Sequence, residues 1–322
     1  MRTLAIVNPV AGQGRGVAVW RQLRTQLRDI LQWDCVTTER AAHARELAEA
    51  ARLAEYERVV VIGGDGTVCE AANGLAHGQT SLAIIPVGRG NDTARNLGVP
   101  GNHVAAARLA AVGTAHVLDL GVVRTSQETT TYFMNIAGVG FDAEVSRRVD
   151  RWRMPVRGTL PYLLGALRTL WSYDSPRLRI CVDQQIVDER VFLVAIANGP
   201  TYGGGMRIAP HARPDDGVLD VCVVRALARV DLLRMIPSVY AGRHVGHPAV
   251  RLFRCREVSV EADQAVSCHV DGDSAADLPL YFGSAPGAIR CVTGSAAWAS
   301  SSTQTITPER STRSHRAPRD RR

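Results

Sequence analysis

The sequence predicts two joined folds, a parallel α/β unit followed by an antiparallel, β-rich unit. Three observations carry this expectation. Short β-branched runs that end on glycine-rich turns alternate with helix-patterned segments through roughly the first hundred residues, the rhythm of a parallel sheet with crossover helices. From about Val117 the rhythm changes to short β-rich runs with few helical segments between them, as in an antiparallel sandwich. A chain of 322 residues, 46% of them apolar, also has the length for about two domains and the material for two cores.

Residues 4–7 read as a first strand, and the glycine-rich loop Asn8-Pro9-Val10-Ala11-Gly12-Gln13-Gly14-Arg15-Gly16 follows it. Val19, Leu23, Leu27 and Ile30 then recur near the helical period. Residues 35–38 read as a second strand, and 39–55, rich in Ala, Leu, Glu and Arg, as a helix. The apolar run 59–62 stops on Gly63-Gly64-Asp65-Gly66-Thr67, after which Glu70, Ala71 and Ala72 continue as a helix. Residues 82–85 form one more short buried-type strand, which ends on Pro86-Val87-Gly88-Arg89-Gly90-Asn91-Asp92-Thr93-Ala94-Arg95. Ligands of open α/β sheets bind in the crevice outside the carboxyl ends of the strands. Asp65 stands at such an end, and a helix starting near Thr67 aims unpaired backbone N–H groups into the same crevice. Glycine lets backbone approach a phosphate chain closely, whereas a carboxylate beside phosphates requires Mg²⁺ or a proton. A nucleotide-phosphate site is therefore one reading. A tight strand-to-helix turn with an Asp cap is the other, and the GGDG residues alone do not separate the two.

Composition narrows the chemistry. The net charge is +7, and all 38 basic residues are arginine. A chain without lysine has neither a Walker P-loop nor a protein-kinase site, each of which needs a phosphate-binding Lys, so phosphoryl chemistry here falls to backbone N–H groups, metal and Arg. Cysteines stand at 35, 69, 181, 222, 255, 268 and 291, an odd and scattered set without CxxC or Cys/His ligand spacing, which reads as reduced core residues of a cytosolic protein. The N-terminus enters a strand pattern with no signal-peptide regions, and no uncharged apolar run approaches the ~20 residues of a membrane span, so a soluble protein is expected.

In their order, NP-x-A-G from Asn8, GGDGT from Gly63 and P-x-G-x-x-ND-x-AR from Pro86 resemble the diacylglycerol kinase-like lipid kinase family, which includes bacterial lipid kinases and sphingosine kinases. The resemblance continues through Asn135-Ile136-Ala137-Gly138-Val139-Gly140-Phe141-Asp142-Ala143, Asn198-Gly199 with Gly203 to Gly205, the stretch 210–219, and Val270-Asp271-Gly272-Asp273, and so covers nearly the whole chain. It implies a phosphofructokinase-like parallel α/β nucleotide domain over 1–122, a β-sandwich lipid-substrate domain over 123–282, and a segment, about 283–296, that returns to the first domain. It also implies ATP with Mg²⁺, the nucleotide being held around Asn8, Gly12, Thr38, Gly63, Gly64, Asp65, Gly66, Thr67, Glu70, Gly88, Arg89, Asn91 and Asp92. Position 89 departs from the family, which usually has a small hydroxyl residue there. A guanidinium at that place either offers a charge-assisted phosphate contact or points to solvent.

The resemblance also suggests roles for acidic residues. The GGDG aspartate, Asp65, is implicated in catalysis. Asp273 falls where the family's D-G-E motif carries a Glu assigned as proton acceptor, and its side chain is one methylene shorter. Asp271, two residues earlier on what would be the same strand face, is expected to orient the site or to substitute for Asp273. Asp119 matches an acidic family position near the cleft, although a strand-end cap explains it equally well. In the loop 210–218 the resemblance implies a structural Mg²⁺ held by the Asp216 side chain and by main-chain oxygens of Arg213 and Val218, where the residues alone read as an Asp-Gly turn. Gly203 to Gly205 read either as a flexible loop or as a close backbone approach to substrate.

The implied activity is transfer of the ATP γ-phosphoryl group to a lipid hydroxyl. Diacylglycerol is the first expectation and a sphingoid base the near alternative, with the protein cytoplasmic and peripherally membrane-associated. The expected partner is a lipid at a membrane surface, not a nucleic acid, and a homodimer is left open. NAD kinase shares GGDGT and a two-domain plan, but the P-x-G-x-x-ND-x-AR loop and the D-G-acid motif argue against it. A nucleotide- or lipid-binding regulator is the non-enzymatic alternative, favoured if Arg89 and Asp273 have spoiled catalysis. Between Arg147 and Trp171, a basic cluster (Arg147, Arg148, Arg151, Arg153, Arg157) precedes an apolar stripe (Leu160, Leu163, Leu164, Leu167, Leu170, Trp171) that reads either as a core-facing helix or as a bilayer-docking one. The tail, 297–322, is Ser-, Thr-, Arg- and Pro-rich and reads as disordered and basic.

Overall fold

A computed structural model of the chain describes residues 1–127, 129–151 and 159–294, with the side chains of 149–151 and 159–164 excepted. The first part alternates strand and helix: β1 (Thr3–Val7), the single turn α1 (Ala11–Gly14), α2 (Gly16–Gln26), β2 (Asp34–Thr37), α3 (His43–Leu53), β3 (Arg58–Gly63), α4 (Asp65–Leu75), β4 (Ser81–Pro86), α5 (Asp92–Asn96) and α6 (His103–Val112). All pairings among its four strands are parallel, and the spatial order is β2-β1-β3-β4. Every residue of β3 and β4 is buried, as expected of central strands covered on both faces by helices. The order reverses between β1 and β3, which creates a topological switch point in the crevice outside their carboxyl ends. Two helices are shorter than their sequence patterns. Ala42, at φ 62°, stands in the left-handed region and delays α3 to His43, and α2 stops before Ile30, whose side chain is exposed.

The second part contains β5 (Ala115–Thr125), β6 (Thr130–Phe133), β7 (Ile136–Gly140), α7 (Phe141–Arg151), α8 (Thr159–Ser172), β8 (Arg177–Val182), β9 (Gln185–Ala197), β10 (Leu219–Arg225), α9 (Arg229–Tyr240), β11 (Val250–Cys255), β12 (Glu257–Ala262), β13 (Cys268–Val270), β14 (Asp273–Ser274) and β15 (Leu280–Val292). Its strands pair antiparallel, and Leu178, Ile180, Val258, Val260 and Phe282 pack against Val139, Val194, Ile196, Val221 and Val270 to form a sandwich core. The sequence reads 131–137 as one β-rich run, but it is divided between two strands, β6 and β7, because the chain breaks at Met134-Asn135, where backbone N–H groups turn to the Asp271 carboxylate instead of a neighbouring strand. Of the longer elements, α6, β11 and α9 lie where no element was expected.

The parts share strands. β15 pairs antiparallel with β12 near Phe282 and with β5 along most of its length, then runs parallel to β4 through Arg290↔Ser81 and Cys291↔Leu82. Leu280 and Phe282 pack in the sandwich core while Ile289, Cys291 and Val292 pack in the α/β core, so the two cores meet within one continuous strand.

All seven thiols are free, and five are buried, but Cys35 is exposed and Cys181 half-buried, so these two are not core residues. Burial pushes the Cys222, Cys255 and Cys291 thiols up to about 12. On α8, Leu170 is buried while Leu167 and Trp171 are exposed, so the apolar stripe is only partly covered. The side chains of Arg151, Leu160, Leu163 and Leu164, the residues Arg153 and Arg157, and the tail from 297 lie outside the described residues.

Candidate active site

At the switch point the chain leaves an open cavity of about 460 Å³. Its walls come from the carboxyl ends of four adjacent parallel strands: Asn8 to Ala11 after β1, Thr38 to Ala41 after β2, Gly64, Gly66, Thr67 and Glu70 after β3, and Gly88 after β4. Asp273, from the β13–β14 hairpin of the sandwich, completes the wall. A Cβ built on Gly66 would lie 3.4 Å from Asp273 Oδ2, so the carboxylate rests directly over the glycine turn. α4 begins here with an extended Gly64 as its N-cap, which has no side chain to cap the first turn and leaves those N–H groups to face a ligand.

Each loop is fixed by local chemistry. Asn8 accepts the Val10 N–H on Oδ1 and donates from Nδ2 to Thr67 Oγ1 at 2.8 Å, which locks the β1 loop onto α4. The β3 and β4 loops touch backbone to backbone: a Cβ on Gly88 would sit 2.7 Å from Gly64 Cα, so only glycine allows this approach. Glu70 spans the floor and accepts the N–H groups of Ala42 (2.9 Å) and Ala44 (3.1 Å), capping α3 with a carboxylate where its dipole is positive. Glu70, expected near the nucleotide, therefore lines the cavity while its carboxylate caps α3.

The other expected nucleotide residues do not line the cavity. Asp65 accepts the Thr93 N–H on Oδ1 at 3.0 Å and so ties α4 to α5. Asp92 pairs with Arg95 and accepts the Gly204 N–H on Oδ2 at 2.8 Å, so the Gly203–Gly205 run closes on the loop after β4. Burial raises the Asp92 carboxyl above its ordinary value, with Asp65 adding to the rise and the Gly204 N–H and Arg95 opposing it. Asn91, in the left-handed region, donates to Gly88 O at 2.8 Å, and Gly12 and Gly63 shape the loops without lining the cavity. Arg89 is exposed and does not line the cavity.

Asp271 does not share a strand face with Asp273. It begins a two-residue turn, Asp271-Gly272, with φ of 49° and 95°, between the paired residues Val270 and Asp273, as in a tight hairpin that needs positive φ at both turn positions. Its carboxylate accepts three backbone N–H groups, from Met134 (2.7 Å), Asn135 (2.9 Å) and Ile136 (2.9 Å). Both oxygens are thereby occupied, which makes Asp271 an anchor for the hairpin and not a second proton acceptor. Burial lifts its carboxyl above the ordinary range despite these three donors.

Asp119 lies in the middle of β5, not at a strand end. It accepts from Gly217 N (2.6 Å) and Gly287 N (2.7 Å), pinning the acidic turn to the bulge of β15. In that turn the Asp216 carboxylate accepts the Val218 N–H at 3.3 Å and pairs with Arg254. Beside it, Asp220 is buried with Oδ2 lacking a hydrogen bond but 3.9 Å from Arg254 Nε, and burial raises its carboxyl to about 6 against the opposing charge of Arg254. Two carboxylates side by side are hard oxygen donors that suit a cation such as Mg²⁺, although Arg254 supplies positive charge to both in this structure. Among the described residues no group of three or more His, Cys, Asp or Glu side chains is arranged to hold a metal, and the set expected here has only one such side chain.

Several polar residues between the two parts were given no role from the sequence. Asn96 donates to Asn135 Oδ1 and to Thr201 O, Asn135 donates to Thr93 Oγ1, and Asn198 donates to Asp119 O and Met134 O, all within 3.1 Å and buried. This network joins α5 to the sandwich and holds the cavity wall. The available signal was a polar residue inside an apolar run, as at Asn135 and Asn198.

Together, the strand-end loops and the carboxylate lent by the sandwich define a two-part phosphotransferase. The chain matches the diacylglycerol kinase catalytic domain over residues 2–123 and the YegS C-terminal NAD kinase beta sandwich-like domain over 135–293. It is 32% identical over 296 residues to a diacylglycerol kinase of Mycobacterium tuberculosis, with 90% of this chain and 94% of that one covered. It therefore belongs to the diacylglycerol kinase-like family of lipid kinases, enzymes that transfer phosphate to a hydroxyl. A diacylglycerol kinase of Bacillus subtilis is 28% identical over 245 residues, covering 75% of this chain and 79% of its own. In fold, the chain superposes with a TM-score of 0.68 on a crystal structure described as a diacylglycerol kinase of Bacillus anthracis, which is 23% identical and is covered over 97% of its length, against 92% of this chain.

Proposed function

We propose that the chain phosphorylates diacylglycerol, with ATP in the switch-point cavity and Asp273 as proton acceptor. The observation that carries this reading is the position of Asp273: a carboxylate from the sandwich stands over Gly66, at the rim of the loops that would cradle the phosphates. The turn N–H groups of α4 suit the phosphate oxygens. Asp273 takes the proton of the lipid hydroxyl as the hydroxyl oxygen bonds to the γ-phosphorus, and the bond to the β-bridging oxygen breaks to release ADP. Asp65 orders the Thr93 end of the β4 loop and so keeps Gly88 against Gly64. When bound with ATP, Mg²⁺ neutralises phosphate charge, and a second Mg²⁺ would be held by Asp216 with main-chain oxygens of Arg213 and Val218, beside Asp220.

In this reading residues 1–122, with the returning strand from 283, form the nucleotide unit, and 123–282 form the lipid unit. The enzyme works at the surface of a bilayer on the cytoplasmic side. Exposed Trp171 with Arg229 over its ring, 5.9 Å from the centroid, suits an interfacial position, and no described helix is long and apolar enough to cross a membrane. The test is phosphate transfer from labelled ATP to diacylglycerol, sphingosine and NAD in mixed micelles. Diacylglycerol should be preferred and Asp273→Asn should lose most turnover while remaining folded. Preferred transfer to NAD or sphingosine, or wild-type turnover in the variant, refutes the corresponding part of the proposal.

A further inference from the structure

Beneath the Asp273 turn lies a buried pair that the mechanism above does not use. His269, on β13, and Asp142, at the start of α7, are 4% and 7% exposed, and His269 Nε2 lies 3.0 Å from Asp142 Oδ2. Gly138, opposite His269 on β7, leaves the space they fill: a Cβ there would come within 2.3 Å of both side chains. Tyr202 stacks on the imidazole at 6.2 Å and 11°, and its hydroxyl reaches Asp142 Oδ2 at 3.4 Å. On the other side of the ring, Nδ1 faces the Gly272 N–H at 3.4 Å. Gly272 is the residue before Asp273.

We propose that His269 is a positioning residue for phosphoryl transfer: neutral, with its proton on Nε2 toward Asp142, it accepts the Gly272 N–H on Nδ1 and holds the turn that presents Asp273 to the cavity. This rests on the reading of Asp273 as proton acceptor. Asp271 fastens the same turn at its first residue, so the turn has two independent holds. The His269 hold is lost on protonation, because a second ring proton on Nδ1 would confront the Gly272 N–H and remove the acceptor, whereas Asp271 spreads its hold over three N–H groups.

The groups facing the ring set the direction. Burial, the largest single influence, disfavours the imidazolium, and the charge of Asp142 on α7 and its hydrogen bond oppose it. Asp271 and Asp273 on the hairpin add to the rise, and Tyr202 faces the ring from the loop after β9, so His269 titrates above its ordinary 6.5. Turnover should therefore rise as pH climbs through this raised value. Stability runs the other way: the stabilisation is complete below about 6.5 and lost as pH rises through the raised folded-state value.

The test is steady-state kinetics of the full chain with ATP and micellar diacylglycerol from about pH 6 to 9, with thermal melting in the same buffers, on wild type and on His269→Gln, His269→Asn and Asp273→Asn. Gln keeps a donor toward Asp142 but loses the Nδ1 acceptor, whereas Asn keeps an acceptor near Nδ1. The proposal expects His269→Gln to lower kcat by about tenfold or more with KM for ATP within about twofold, and to lose the acid limb, while His269→Asn recovers part of the turnover. Wild-type kcat and an unchanged acid limb in His269→Gln, with Asp273→Asn inactive, overturn the positioning role alone. An active Asp273→Asn overturns the acceptor reading and this proposal with it. Should both histidine variants fail to fold, the wild-type profile decides: an acid limb above pH 6.5 that opposes the stability trend supports the proposal, and its absence overturns it.

Discussion

Contact between the β3 and β4 loops gives a sharp prediction at Gly88. A methyl group there meets Gly64 Cα at 2.7 Å, and ordinary contact begins at 3.4 Å, so Gly88→Ala must part the two loops by about 0.7 Å. Backbone stands on the far side, so no side chain can swing away. Overpacking of this kind costs about 1–3 kcal/mol of stability. The separation is also most of the 1 Å misplacement that reduces catalysis roughly a hundredfold, so kcat/KM for ATP should fall by about 10- to 100-fold, or about 1.4–2.7 kcal/mol of transition-state binding. Gly101→Ala is the control, since a Cβ there has nothing within 4 Å. Initial-rate phosphate transfer and thermal melting on the three proteins decide the matter. Gly88→Ala with kcat/KM within about twofold of wild type and an unchanged melt would show that the phosphate cradle does not depend on this contact.

Two further predictions concern carboxylates away from the reacting atoms. Glu70→Ala removes the acceptor for the Ala42 and Ala44 N–H groups and should lower stability by about 0.5–2 kcal/mol, the usual worth of a helix cap, as read by denaturant unfolding; a variant as stable as wild type would deny the capping role. At Asp220 the folded-state value is raised from 3.8 to about 6, so the stability attached to it is complete below 3.8 and lost as pH rises through about 6. Asp220→Asn should therefore gain on wild type between pH 4 and pH 7 by up to about 3 kcal/mol, taking about 1.36 kcal/mol for each pH unit. Urea unfolding at both pH values measures it, and an equal difference at each would show that the buried charge is neutralised in some other way.

Much of the α/β half was legible in the sequence, because β-branched runs closed by glycine are local signals of buried strands. Asp65 and Gly64 could thus be placed at a strand end without coordinates, and the absence of lysine already restricted how phosphate is held. The break at Met134-Asn135 and the elements α6, β11 and α9 were not legible. The break exists because Asp271, more than 130 residues away, takes the N–H groups that a continuous strand would have paired.

The sequence by itself determined which glycine-rich turns close the parallel strands, since φ preferences and glycine content act on neighbouring residues. Only the tertiary structure decided how those turns are shared out. It turned Glu70 to a helix end, Asp271 to a strand break and Arg89 to the surface, and brought Asp273 over Gly66 and His269 against Asp142. Each of these depends on which distant backbone donor or charge lies within about 3 Å, and linear spacing does not contain that information.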